Sequence, residues 1–177
     1  MASRFLGFFL FVFAVAISPV TCTIEADALS ALKKALVDPN GILESWDERF
    51  TDPCTWFHVV CSRDNKVIKL DLGDYGLGGS LVPELGLLGD LESLEMFQNN
   101  ITGPIPIELG NLSKLISLEL YENKLNGTIP DSFGKLKALR FMRLNNNQLT
   151  GKVPESVKAL EKGNLMILDV TNNPLSD

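Results

Sequence analysis

The chain has 177 residues, with 16 Lys and Arg against 22 Asp and Glu, one His and three Cys. A net charge of −6 argues against nucleic acid and anionic membrane surfaces as partners, because both need basic patches. No Gly-rich phosphate loop followed by Lys occurs, and no H-R-D or D-F-G motif, so nothing points to a nucleotide-dependent enzyme.

Residues 1–22 read as a secretion signal. Arg4 is the only charge, Phe5 to Ile17 is almost wholly apolar, and small residues precede Thr23, the composition that a signal peptidase accepts. The run is shorter than the ~20 apolar residues of a spanning helix. Its removal takes Arg4 and leaves 15 basic and 22 acidic residues, a net charge of −7. No second apolar run of spanning length follows, so a soluble, secreted single domain is expected. Cys22 leaves with the signal or sits at its edge. Cys54 and Cys61 then form an even pair in an oxidising compartment, which predicts a disulfide. Two cysteines and His58 cannot supply four zinc ligands.

Residues 23–66 read as an N-terminal cap. Ala28, Leu29, Leu32, Ala35 and Leu36 recur at helical spacing. Glu25 and Asp27 are expected in the first turn and Lys33 and Lys34 near the end, in keeping with the helix dipole. Asp38-Pro39-Asn40-Gly41 stops the helix by turn chemistry. Trp46 and Trp56 supply the apolar mass.

Residues 67–177 repeat. Gly103, Gly127 and Gly151 are 24 apart, each closing a frame L-x-x-L-x-L-x-x-N-x-L. About five copies occur, the last incomplete. This period and frame predict an α/β fold of the leucine-rich-repeat solenoid type: a right-handed coil with a short parallel β-sheet on its concave face. The alternation L-x-L fits strands with one buried face. Asn99, Asn123, Asn147 and Asn173 occupy the Asn place, where a side chain that donates and accepts can satisfy turn backbone from coil to coil as an asparagine ladder. Tyr75 stands there in the first copy. The second half of each repeat, G-x-I-P-x-x-L-G-x-L, predicts an extended segment and then a 3₁₀ turn. A two-residue insertion is expected as a loop over Glu161 to Asn164.

On the concave sheet the residues between and beside the leucines face solvent. The central column is Asp71, Glu95, Glu119, Arg143 and Asp169. Gly73, Phe97, Tyr121, Asn145 and Thr171 flank it on one side, and Lys69, Ser93, Ser117, Phe141 and Ile167 on the other. Exposed aromatics with an Arg are the residue types that anchor interfaces. Glu95 and Glu119 would lie about 5 Å apart on adjacent strands, and alternating charge explains them better than a catalytic pair. Asn100, Asn111 and Asn126 each begin an N-x-[S/T] sequon, a candidate glycan site in a secreted chain. No nucleophile partners His58, so no enzyme, metal or cofactor is expected.

The cap's A-L-x-A-L, the S-W-D, the P-C-T-W-F-H-V-V-C stretch from Pro53 to Cys61 and the L-x-G-x-I-P repeats resemble plant leucine-rich-repeat proteins. The chain is most similar to the ectodomains of the somatic embryogenesis receptor kinases, and to the short secreted proteins that share this ectodomain without a kinase. The resemblance covers residues 25–175. It implies a shape-complementary helper that docks beside a ligand-bound receptor through its cap and concave side. Phe57 and His58 match cap residues that touch a hormone or peptide held by the receptor. Phe141, Arg143, Glu95 and Tyr121 match concave contact residues. Glu119 stands where the family has Asp, and Ser93 and Phe97 stand where many co-receptors have Tyr. The expected function is a secreted, extracellular protein-binding module of the apoplast or cell wall. It would be monomeric alone, and would serve plant defence or growth signalling as a co-receptor-like, decoy or scaffold component. Its partner would be a receptor-kinase ectodomain with a small hormone or peptide at the shared interface. The alternative is an inhibitor of a secreted cell-wall-degrading enzyme, since similar solenoids block hydrolase clefts.

Overall fold

The computed structural model describes residues 20–47, 49 and 52–176. The expected signal lies almost wholly outside the described residues.

The cap holds a helix α1 (Val20–Ala35), a two-residue strand β1 (Leu36–Val37) and a strand β2 (Val59–Cys61). Each coil then contributes an inner and an outer strand. These are β3 (Val67–Asp71) and β4 (Gly78–Ser80), β5 (Ser93–Glu95) and β6 (Asn100–Pro104), β7 (Ser117–Glu119) and β8 (Lys124–Thr128), and β9 (Phe141–Arg143) and β10 (Gln148–Thr150). A four-residue helix α2 (Glu155–Lys158) follows, and then the last inner strand β11 (Ile167–Asp169). The inner sheet runs β11-β9-β7-β5-β3-β2 and the outer one β1-β4-β6-β8-β10. Both are parallel except at one end, where β2 and β1 pair antiparallel with β3 and β4. The cap thereby closes the first edge of both sheets, which would otherwise offer unpaired backbone groups.

The core is a set of columns running along the solenoid. Leu70, Leu94, Leu118 and Met142 form one and Leu72, Met96, Leu120 and Leu144 another, all fully buried. Burying each such side chain stabilises by roughly 1.5–3 kcal/mol. On the convex side, 3₁₀ turns Pro83–Leu87, Ile107–Asn111 and Asp131–Lys135 set Leu85, Leu109 and Phe133 into the core. Gly110 permits the spacing of these turns: a Cβ there would lie 2.6 Å from the Cβ of Ser132 in the next coil.

The asparagines bridge coils. Asn123 Oδ1 accepts from Ile101 N at 3.0 Å while Nδ2 donates to Met96 O at 2.9 Å. Asn147 repeats this with Leu125 and Leu120, and Asn173 with Leu149 and Leu144. Asn99 Oδ1 accepts from both Tyr75 N and Leu77 N. In the first coil Tyr75 makes no such bridge, and the cap's Asn40 Nδ2 donates to Tyr75 O at 2.9 Å instead.

Three expectations need correction. Helix α1 begins at Val20, so Glu25 and Asp27 fall beyond its first turn. Glu25 points inward, 5% exposed. The fourth convex segment is α-helical over Glu155–Lys158 before a 3₁₀ turn Ala159–Lys162. That added helical length takes up the inserted residues Glu161 and Lys162, and only Gly163 and Asn164 turn back toward β11. Glu119 is 7% exposed rather than solvent-facing, with Ser117 of its own strand and Arg143 of the next coil bonded to its carboxylate.

Candidate functional site: the cap edge and the concave cleft

At the cap edge, Asp52 caps the 3₁₀ turn Pro53–Thr55 by accepting from Cys54 N at 3.0 Å. Cys54 and Cys61 are disulfide-bonded. Trp46 and Trp56 are buried and stacked with ring centroids 5.6 Å apart. Trp46 Nε1 donates to Phe57 O at 2.8 Å, and Phe57 N donates to Ser45 Oγ at 2.9 Å. The backbone of Phe57 is thus held on both sides while the residue as a whole is 70% exposed. His58 follows with φ 69°, a left-handed conformation uncommon for a residue with a Cβ. Its ring packs on Tyr75 with centroids 4.7 Å apart, and its carbonyl accepts from Asp71 N.

On the inner sheet the register sets Asp71, Glu95, Glu119, Arg143 and Asp169 side by side, one per strand. Residues two places earlier on each strand share the face and act as partners. Lys69 Nζ lies 2.9 Å from Glu95 Oε1 and 3.3 Å from Asp71 Oδ2, and these contacts, led by Glu95, hold the Lys69 ammonium above its ordinary value. Ser93 Oγ donates to Glu95 Oε1 and Ser117 Oγ to Glu119 Oε1. Arg143 donates to Glu119 Oε1 at 2.7 Å. Phe97 and Tyr121 stack almost parallel, centroids 4.9 Å apart and planes 2° apart. Phe97 also covers Gly73, where a Cβ would sit 2.5 Å from the ring. Burial, and then the nearby Glu119 and Glu122 carboxylates, push the Tyr121 phenol up. Phe141 lies beside two guanidiniums, Arg140 and Arg143, each 5.9 Å from its ring centroid.

Glu95, Phe97, Ser117, Glu119, Tyr121 and Arg143 line one cleft of about 240 Å³. The fold therefore brings together five of the eight residues expected at the interface. Phe141 stands on the flank of the cleft. Phe57 and His58 stand at the cap end and do not line it. Lys69, Ser93 and Ser117 join the site as partners of the acids. Their signal in the sequence is the i, i+2 spacing that puts each on the face of the acid it serves. The three sequon asparagines are exposed. Asn100 and Asn126 lie on β6 and β8 and Asn111 ends a convex 3₁₀ turn, so none is on the concave sheet. Among the described residues no helix is long and apolar enough to cross a membrane.

A leucine rich repeat N-terminal domain family model matches residues 24–62, and a leucine rich repeat model matches residues 90–112, 114–136 and 138–160. Both describe repeat or cap modules, and neither is a catalytic family. The chain is 53% identical over 85 residues to "Leucine-rich repeat protein 1" of Oryza sativa, an alignment covering 48% of this chain and 40% of that protein. It thus spans about two fifths of the length of the curated relative it matches. Among solved structures it resembles the BIR2 ectodomain from Arabidopsis thaliana, with TM-score 0.79 and 36% identity, covering 86% of this chain and 82% of that one. It also resembles a chain of the BIR3–SERK2 complex from Arabidopsis thaliana, with TM-score 0.76 and 32% identity, covering 85% and 82%.

Proposed function

The chain belongs to the plant leucine-rich-repeat proteins, and on that premise we propose that it is a secreted protein-binding module that docks on a receptor-kinase ectodomain. It acts in the apoplast or cell wall, in defence or growth signalling, as a co-receptor-like, decoy or scaffold component. The similar BIR3–SERK2 structure, a complex by its own description, supports a protein partner of this kind. The observation that carries the reading is Phe57. A large aromatic residue, 70% exposed, stands on a backbone fixed by two hydrogen bonds. Such a ring loses little conformational freedom on docking, which favours its use as an interface anchor. The concave cleft with Arg143 and the Phe97–Tyr121 pair supplies a second anchor of the same residue types. The sequons at Asn100, Asn111 and Asn126 lie off this face, so glycans there would leave it clear.

The test is surface plasmon resonance of the purified chain over immobilised BIR-type and SERK-type ectodomains, with and without peptide hormone. Saturable binding is expected. Phe57→Ala combined with Arg143→Ala should weaken it at least about tenfold, or roughly 1.4 kcal/mol, with circular dichroism showing the double variant still folded at the assay temperature. The reading fails if no ectodomain binds, if the double variant binds as the parent does, or if the chain inhibits a cell-wall hydrolase while ignoring every ectodomain.

A further inference from the structure

We propose that the cleft over β5, β7 and β9 receives a basic side chain, an arginine or lysine carried by a protein partner, with Glu119 as its anchor and Glu95 as its second carboxylate. The proposal rests on the concave-face reading above and adds the chemistry of the group bound.

Glu119 is more than nine-tenths buried, yet only half of its carboxylate is used. Ser117 Oγ and the Arg143 guanidinium both donate to Oε1, and the buried Oε2 has no partner. Leaving a charged acceptor unsatisfied in the protein interior is costly, and such groups are uncommon unless a function needs them. A ligand that brings its own N–H donors removes the cost on binding.

Glu95 repeats the arrangement one strand away. Ser93 Oγ and Lys69 Nζ both engage its Oε1. Glu95 and Glu119 are in register on adjacent strands, which lie about 4.8 Å apart, and each directs its contacts to one oxygen. A guanidinium or ammonium, with several N–H donors on a single centre, suits two such neighbouring carboxylates better than a neutral group does. The stacked Phe97 and Tyr121 line the same cleft and offer ring faces to the aliphatic stem or the guanidinium of the incoming side chain. About 240 Å³ accommodates the end of one side chain and not a folded element.

Arg143 is the resident cation. Its side chain is 36% exposed and touches Glu119 through a single N–H. An incoming basic group takes part of that position at Oε1 and extends its remaining N–H donors to Oε2. Arg143 is then turned outward, free to pair with an acid beside the partner's basic residue. Hard divalent cations fit less well, because they need six or more oxygens and the cleft is lined by two carboxylates and few other oxygens.

The probe is N-acetyl-arginine amide, titrated into the full chain and followed by side-chain carboxylate NMR. N-acetyl-citrulline amide, of the same shape without the charge, is the control. The arginine probe should shift the Glu95 and Glu119 signals saturably, and the citrulline probe should bind at least tenfold more weakly. Glu119→Gln should lose at least tenfold in affinity, Glu119→Asp should recover most of it, and Ile107→Ala, at an exposed position of the convex 3₁₀ turn Ile107–Asn111, should change nothing. The proposal is overturned if the two probes act alike, if Glu119→Gln binds as the parent does, or if calcium chloride shifts the same signals at lower concentration than the arginine probe. Arginine binding with no ectodomain binding supports this site and sinks the receptor-docking function. Ectodomain binding with no arginine response sinks this proposal alone.

Discussion

Glu25 shows how much one residue's setting depends on where its helix begins. Its Oε1 accepts from Val67 N at 3.4 Å and its buried Oε2 has no partner. Burial, the largest cause, pushes its carboxyl up. A carboxyl raised in the folded state favours folding when protonated. Its contribution is therefore fully present below the ordinary carboxylate value and is lost as pH rises through that value to the raised one. Glu25→Gln should accordingly raise the thermal midpoint at pH 7 by a few degrees, corresponding to about 1 kcal/mol, and change it little at pH 4. Calorimetry at the two pH values checks this, and a lower midpoint at pH 7 would refute it. The inward turn of Glu25 was not legible in the sequence. The apolar positions Ala28, Leu29 and Leu32 mark a helix face, but nothing local says that Val67 of the first repeat needs an acceptor beneath it. Glu119 is hidden for the same reason. Its column was readable from L-x-L alternation, whereas its burial goes with a contact to Arg143 of the next coil, which the local pattern does not encode. Phe57 and Arg143 were readable because one needs only a disulfide-bounded turn and the other only the strand phase.

Each coil is an element whose turn is strained, and in every coil after the first the strain is repaid by its asparagine. The residue before the ladder place has positive φ in every coil: Asp74, Gln98, Glu122, Asn146 and Asn172 lie between 52° and 60°. That conformation costs roughly 1–2 kcal/mol for a residue with a Cβ. The asparagine that follows offsets it by bonding backbone both within its own turn and in the coil before. Asn123→Ala should therefore destabilise by about 3 kcal/mol, since it orphans buried groups in two coils. Asn173→Ala should cost about 1 kcal/mol, because Asn173 is only partly buried and water can replace it. Chemical denaturation of both variants decides, and equal losses would show that the ladder does not act coil by coil. The ladder itself was legible from spacing alone. The fourth convex segment was not. A two-residue insertion can loop out or extend a helix, and α2 with its following 3₁₀ turn takes the second course because Val157 and Leu160 both reach the core.

At the scale of the molecule, stability falls toward β11. Leu168 and Val170 pack against the core only partly, whereas their counterparts Leu118 and Leu120 are fully buried. Amide hydrogen exchange should find β11 opening first, with protection at least about tenfold below that of β5 and β7. Uniform protection across the inner sheet would contradict this. The other end is closed, because the antiparallel strands β1 and β2 occupy the first edge of each sheet. A parallel stack can in principle grow at both edges, and here only one is available. Assembly then has a direction, and it is the direction of synthesis. The cap emerges first, each later coil meets a finished template, and every loop closed between successive coils is about one 24-residue repeat long. Its entropic cost is set by that repeat and not by the length of the chain, so folding can keep pace with translation one coil at a time.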